Sequence, residues 1–186
     1  FPEVQLLENQ ENVGFARACN QGIKLAKDAE YILLLNPDTV VLPGALQALA
    51  DFMDYHPEVG AAGSRVIGPD GSLEHSCYIT PTLWREFVRL FHLGRIFPDS
   101  AYRMGSWDAD TPRRVEIIQG DCLFLRKATL DEVGLLDQRF FIYSEDFDLC
   151  YRLQLANWLL YWVPQAQVVH YGGQSTKQVS AEMFVN

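Results

Sequence analysis

Tyr31-Ile32-Leu33-Leu34-Leu35-Asn36-Pro37-Asp38 decides how this chain is read. Five apolar residues without polar alternation describe a strand buried on both faces, as at the centre of a parallel sheet. Asn36-Pro37-Asp38 then ends the strand in a turn that carries a carboxylate. Open α/β sheets bind ligands in the crevice outside the carboxyl ends of their strands, and an aspartate there can hold a divalent metal through oxygen. Asn, Pro and Asp are also good turn formers, so the tripeptide by itself admits a purely conformational reading.

Working outward, residues 4–7 read as a short strand. From Gly14 the pattern becomes helical, with Phe15, Ala18, Cys19, Gly22, Ile23 and Ala26 on one face. Asn12 is placed to cap that helix or, with Gly14, to meet an anion at its N-terminus. Asn20, too far along the helix to share a contact with Asn12, is expected to reach the strand end near Asn36. Downstream, Pro43 opens a second helix at its favoured first position, with Leu46, Leu49, Ala50 and Met53 as its buried side and His56-Pro57 as its stop. Residues 59–66 form the next strand, and Pro69-Asp70-Gly71-Ser72 reads as a hairpin turn.

Residues 83–114 differ in character. Trp84, Phe87, Val88, Leu90 and Phe91 suggest an amphipathic helix. The segment also holds Arg85, Arg89, Arg95, Arg103, Arg113 and Arg114 out of 15 Lys and Arg in the chain, so basic charge is concentrated in it. It reads either as a solvated helix and loop or as a lid or acceptor-side surface. Weak peripheral contact with a membrane surface is a further reading, although the helix is short and its charge mixed. Regular pattern returns at residues 115–118 and 120–126, and a short helix follows over residues 128–133. A further helix begins near Glu145, with Asp148 and Arg152 as an i,i+4 pair. Residues 159–163 and 166–169 make the last strands, ending in His170.

The 186 residues suit one domain with a sizeable core. A net charge of -9 leaves no basic face for a nucleic-acid partner. It does not exclude a phosphorylated small molecule, provided a cation on carboxylates supplies the counter-charge. Cys19, Cys77, Cys122 and Cys150 lack metal-site or disulfide spacing, which favours a reducing, cytoplasmic setting. The chain opens with Phe1 rather than Met, and is expected to be processed or part of something longer.

Three further features carry chemistry. Glu145-Asp146 lies at a helix start, where acids also meet the helix dipole favourably. Its neighbours Phe140, Phe141, Tyr143 and Phe147 would desolvate the carboxylates and raise their pKa, which suits a general base. His170 ends an apolar strand beside Gly172 and Gly173, and imidazole joins carboxylates around metals such as manganese. A P-loop, a dinucleotide fingerprint and a Gly-x-Ser-x-Gly elbow are all missing from the sequence.

Read in order, these segments resemble a known family. They are Glu11-Asn12-Val13-Gly14-Phe15-Ala16 to Asn20, Leu35 to Thr39, Pro69 to Ser72, Gly120 to Arg126, Val133 to Asp137, Phe141 to Arg152, Val163-Pro164 and His170 to Ser175. The chain resembles the glycosyltransferase family 2 enzymes, in particular the bacterial rhamnosyltransferase-like branch, over nearly its whole length.

The resemblance implies an α/β GT-A fold with a mixed, mostly parallel sheet flanked by helices. Residues 1–66 would be the remainder of a nucleotide-sugar-binding half, and residues 67–186 the half that binds acceptor and carries the base. A β-α-β segment that holds the nucleotide in the family is not found ahead of Phe1, so the chain is expected to be truncated at its N-terminus.

The implied activity is inverting transfer of a sugar, rhamnose in the branch resembled, from a nucleoside diphosphate to a hydroxyl of a glycan or lipid-linked acceptor. Asn12, Gly14, Asn20, Asn36 and Asp38 would bind the donor. Asp38, with His170, would hold Mg2+ or Mn2+, and Glu145-Asp146 is the base motif, with Asp146 the base. Asn157 precedes Trp158 where the family often has Gly-Trp, and Asp121 follows Gly120 where a small residue is usual. Gly120, Asp121 and Trp158 are therefore expected on the acceptor side. The location implied is cytoplasmic, at the inner face of the cell membrane. A non-catalytic sugar- or nucleotide-binding fragment is the alternative. A nucleotidyltransferase would need a Gly-rich loop and lysine that the sequence lacks.

Overall fold

The computed structural model describes residues 3–172. In chain order the elements are α1 (Phe15–Leu25), β1 (Tyr31–Leu35), β2 (Thr39–Val41), α2 (Ala45–Tyr55), β3 (Val59–Ile67), β4 (Cys77–Tyr78) and α3 (Leu83–Leu90). They continue with β5 (Arg113–Val115), β6 (Ile117–Ile118), β7 (Cys122–Arg126), α4 (Lys127–Val133), α5 (Glu145–Leu155) and β8 (Leu159–His170). Phe1 and the motif residues Gly173 to Ser175 lie outside the described residues.

The main sheet has the order β1-β7-β3-β8-β2, with β5 also paired to β8; β4 and β6 form a separate two-stranded sheet. The α/β class and the mixed sheet with flanking helices are as expected. The predominance of parallel pairing is not. Only β3 and β8 pair in parallel among the described strands, and β1–β7, β3–β7, β2–β8 and β5–β8 are antiparallel. The reason is the return of β7 between β1 and β3. Both are antiparallel to it, so β1, β3 and β8 point the same way while β1 and β3 are kept from touching. Tyr31–Leu35 is accordingly not central: it pairs on one side only, with β7, among the described residues.

The sheet buries both faces because successive side chains of a strand alternate. Ala61, Leu123, Leu125, Leu160 and Trp162 face one core, built with Ile23 of α1 and Leu149 and Leu153 of α5. Ala62, Phe124, Val163 and Val168 face the other, which α2 closes with Ala45, Leu49 and Met53. Burying Leu49 or Met53 contributes about 1.5–3 kcal/mol each. Arg126 staples β7 to this second layer: its guanidinium donates to the carbonyls of Met53 (2.7 Å), Val59 (3.1 Å) and His56 (3.3 Å), satisfying the C-terminal end of α2.

Local expectations are corrected in several places. Residues 4–7 form no strand, and Val4 and Leu6 are exposed. α2 begins after a left-handed Gly44 rather than at Pro43, which turns Ala45 inward and leaves Leu46 exposed. The two final strands are one, β8, whose register against β3 jumps between Ser64 and Arg65. Pro164, which has no N–H to give a ladder, sits at that irregularity. Of the apolar residues of α3, only Val88 is buried; Trp84, Phe87 and Leu90 remain exposed, as does Phe91 just beyond the helix.

Asn20 is a clamp inside the first core. Buried at 2% exposure, it donates to the Leu136 carbonyl at 2.7 Å and accepts from the Leu136 N–H at 3.1 Å, holding the segment before α5 to α1. Asn20→Ala leaves both backbone groups unpaired and is expected to destabilise the fold by about 2–3 kcal/mol in urea unfolding. A Cβ on Gly63 would collide with Ile118 Cγ2. Gly63→Ala should therefore cost about 1–3 kcal/mol through overpacking, measured in the same way.

Candidate active site

Because β1, β3 and β8 run in one direction, their C-terminal ends share one edge of the sheet. Asn36-Pro37-Asp38 follows β1, and His170 ends β8. The antiparallel β7 starts at that same edge, so Gly120-Asp121 enters the site from the other direction. The N-terminus of α5 adds Glu145 and Asp146. Together these line a cavity of about 680 Å³, with Asn12, Gly14, Tyr78, Gln119, Phe141 and Tyr143 also in its wall.

Asp38 and His170 face each other, with His170 Nε2 3.3 Å from Asp38 Oδ1, and both side chains are nearly buried. The Tyr171 N–H donates to the Asp38 carbonyl at 2.9 Å, locking the two segments together. Asp121 Oδ1 lies 3.9 Å from His170 Nε2 and accepts the Asn36 amide at 2.7 Å. Asp121 thus stands on the Asn36–His170 side of the cavity. Burial raises the Asp121 pKa, and the nearby His170 opposes the rise. For His170, burial works against the charged ring. The hydrogen bond to Glu74 and the charges of Asp121, Asp38 and Glu74 outweigh it, and the net pKa is raised.

Asp146 is held by two backbone donors, Gly120 N–H at 2.9 Å on Oδ2 and Phe147 N–H at 2.8 Å on Oδ1. Burial raises its pKa in spite of these bonds. Glu145 is also pushed up by burial, and its Oε2 has no hydrogen-bond partner among the described residues. Ser144, the residue before α5, makes no side-chain cap. Ser144 and Tyr143 are both left-handed, at φ 71° and 67°, a costly geometry for residues with a Cβ.

At α1 the Asn12 carboxamide accepts the Gly14 N–H at 3.1 Å, and the Phe15 N–H goes to the Phe141 carbonyl at 2.9 Å. Asn12 therefore shapes the turn ahead of the helix rather than capping it. Two donors expected for an anion are spent internally. Gly14 is required by space: a Cβ there would lie 2.7 Å from the Phe141 carbonyl oxygen, at φ +81°.

Two expected site residues are elsewhere. Asn20 is the clamp described above, not a donor contact. Trp158 packs at the start of β8 against Gly60 and donates to Glu132 at 2.9 Å, outside the cavity lining. Its neighbour Asn157 has φ 66°, which explains Asn in a place where glycine is usual, since Asn is among the side chains that tolerate this region best. The departure is conformational and says nothing about acceptor choice. One residue that sequence reading missed is Glu74, whose Oε2 lies 2.9 Å from His170 Nδ1. The available signal was its place two residues beyond the hairpin turn that follows β3.

A second cavity of about 480 Å³ adjoins the first through Tyr78 and Phe147, and is lined by Arg85, Arg89 and His92. Arg85 is fixed there by a two-pronged pair with Glu116, at 2.8 and 3.1 Å.

Among the described residues the first cavity has no Lys or Arg in its lining but contains the carboxylates of Asp38, Asp121, Glu145 and Asp146. Such a wall repels an anionic ligand unless a cation intervenes. Among the described residues no group of three or more His, Cys, Asp or Glu side chains is arranged to hold a metal ion by itself. Asp38 with His170 is nonetheless a suitable partial donor set, since such ions are often bound through one or two protein groups plus substrate phosphates.

The family model for Glycosyl transferase family group 2 matches residues 31–183. An N-acetylglucosaminyl-diphospho-decaprenol L-rhamnosyltransferase of Mycobacterium tuberculosis is 35% identical over 95% of this chain and 61% of its own length. Rhamnosyltransferase WbbL of Escherichia coli (strain K12) is 28% identical over 84% of this chain and 58% of its own. The chain thus spans about three-fifths of these relatives. A crystal structure of GalNAc-T7 with UDP, GalNAc and Mn2+ superposes with a TM-score of 0.62 at 15% identity, covering 88% of this chain and 31% of that one. That likeness extends the GT-A architecture to this sheet. The chain is a glycosyltransferase domain and belongs to glycosyltransferase family 2.

Proposed function

We propose that this domain transfers a sugar, rhamnose by analogy with its relatives, from a nucleoside diphosphate to a hydroxyl of a glycan or lipid-linked acceptor, inverting the anomeric carbon. The observation that carries this reading is the placing of Asp146 and the Asp38–His170 pair in one cavity, joined through Gly120-Asp121.

Asp146 takes the proton from the acceptor hydroxyl. Its burial raises its basicity, and the Gly120 and Phe147 N–H groups fix its orientation. The hydroxyl attacks the face of the sugar opposite the leaving diphosphate, and one such displacement inverts configuration. Asp38 and His170 would hold Mg2+ or Mn2+, which supplies charge neutralisation for the leaving diphosphate. Residues 1–66 are assigned to the donor half and residues 67–186 to the acceptor and base half.

The second cavity, with Arg85, Arg89 and His92 on its wall and the exposed aromatics of α3 beside it, suits an acceptor that combines phosphate with lipid. The four free cysteines are compatible with the reducing, cytoplasmic face at which such an acceptor would be met. Among the described residues no helix is long and apolar enough to cross a membrane.

Asp146→Asn in the full-length protein should lower transfer about 100- to 10,000-fold while donor binding, read by calorimetry, is retained. Near-normal turnover would remove Asp146 from the role. Donor binding by the unsubstituted protein without transfer to any hydroxyl would favour the binding-fragment reading.

The raised pKa fixes the sign of two pH effects. The acid limb of the rate profile should lie above the ordinary Asp value of 3.8. The stability that protonated Asp146 contributes is present below 3.8 and lost as pH rises through the raised value. The melting temperature of the native protein, relative to Asp146→Asn, should therefore fall as pH rises through that window.

A further inference from the structure

His170 is gripped from both sides of its ring, and only one side faces the cavity. Nε2 points to Asp38 Oδ1 at 3.3 Å, while Nδ1 meets Glu74 Oε2 at 2.9 Å. We propose that Glu74 is a positioning residue: it accepts the Nδ1–H of His170, fixes the ring and its tautomer, and so leaves the Nε2 lone pair free to meet a divalent cation beside Asp38. This rests on the reading of Asp38 and His170 as cation ligands. A carboxylate behind a ligating imidazole orients it and makes it a stronger donor.

The delivery of Glu74 to this place is built into the chain. Pro69-Asp70-Gly71-Ser72 lies outside the cavity lining among the described residues, yet it is tied down closely. The Gly68 N–H donates to the Ser72 carbonyl at 2.8 Å, and the Gly71 N–H to the Gly68 carbonyl at 2.9 Å. Asp70 Oδ1 accepts from the Ser72 N–H at 3.0 Å and from its hydroxyl at 2.6 Å. Gly71 adopts φ +80°, which the reversal needs. Past the turn, Leu73 bridges back to Ile67, and the Glu74 N–H donates to the Val66 carbonyl at 3.0 Å. The hairpin thus extends β3 just far enough to set a carboxylate behind the last residue of β8, the parallel neighbour of β3. A Cβ on Gly68 would come within 2.9 Å of Asp70 Oδ1 and 3.4 Å of Glu74 Oε1, so the turn packs tightly beneath the carboxylate it presents.

The test uses Mn2+ as the probe, alone and with a nucleoside diphosphate, with no sugar donor and no turnover. Mn2+ affinity is read from the electron paramagnetic resonance signal of the free ion. The His170 tautomer is read in the metal-free protein at alkaline pH by long-range 1H–15N correlation. Glu74→Ala should weaken Mn2+ binding about 10- to 100-fold and shift His170 from the Nδ1–H form toward the Nε2–H form. Glu74→Gln, whose amide oxygen can accept the same N–H, should restore most of both.

Wild-type affinity and an unchanged tautomer in Glu74→Ala would overturn the role of Glu74. If His170→Ala lost Mn2+ in that same series, the cation reading would stand without it. Absence of Mn2+ binding in the unsubstituted protein, both alone and with a nucleoside diphosphate present, would instead sink the cation reading, and Glu74 with it. Glu74 is partly exposed, so its substitutions are not expected to unfold the chain; circular dichroism of each variant checks this.

Discussion

The site depends on strand direction. β7 runs back between β1 and β3 and leaves β1, β3 and β8 pointing the same way. A turn after β1, a hairpin after β3 and the last residue of β8 are thereby delivered to one edge, and the start of β7 arrives there from the opposite sense. Residues as distant in sequence as 38, 74, 121 and 170 converge because the ladder permits no other arrangement. The two cores that clamp the sheet from either face hold that ladder in register.

Convergence has an electrostatic cost. Asp38, Asp121, Glu145 and Asp146 share one cavity wall, and among the described residues no Lys or Arg lines it. The fold tolerates this by local measures. Asn36 gives its amide to Asp121, Gly120 and Phe147 give N–H groups to Asp146, and His170 stands between carboxylates. Burial still raises the pKa of Asp121, Glu145 and Asp146, so the wall is not relaxed. An acidic recess of this kind is poorly suited to rest and well suited to receive a cation and the anion that travels with it.

Much of this was legible in the chain itself. Helical spacing marked α1 and α5, and the apolar run from Tyr31 marked β1. The turn residues at its end, the acid pair and the strand-end histidine were identifiable by type. Partnership was less legible. Asn20 looks like a ligand-binding amide, but its two hydrogen bonds go to Leu136, more than a hundred residues away. Trp158 is drawn into packing by Gly60. An unbroken apolar run says that both faces are buried but not which way the neighbouring strand runs, so β1 passed for a central parallel strand. Glu74 has only its place after a hairpin turn to mark it, because its meaning comes from the strand beside it.

Tyr143 and Ser144 connect the aromatic segment from Phe140 to the acid pair of α5, both in a backbone region that costs about 1–3 kcal/mol for each such residue. Among the described residues Ser144 makes no side-chain capping bond that would offset that cost. The approach to the acid pair is therefore strained. It is held by the hydrogen bond from the Phe15 N–H to the Phe141 carbonyl, so the entry to α1 and the approach to the acid pair share one contact.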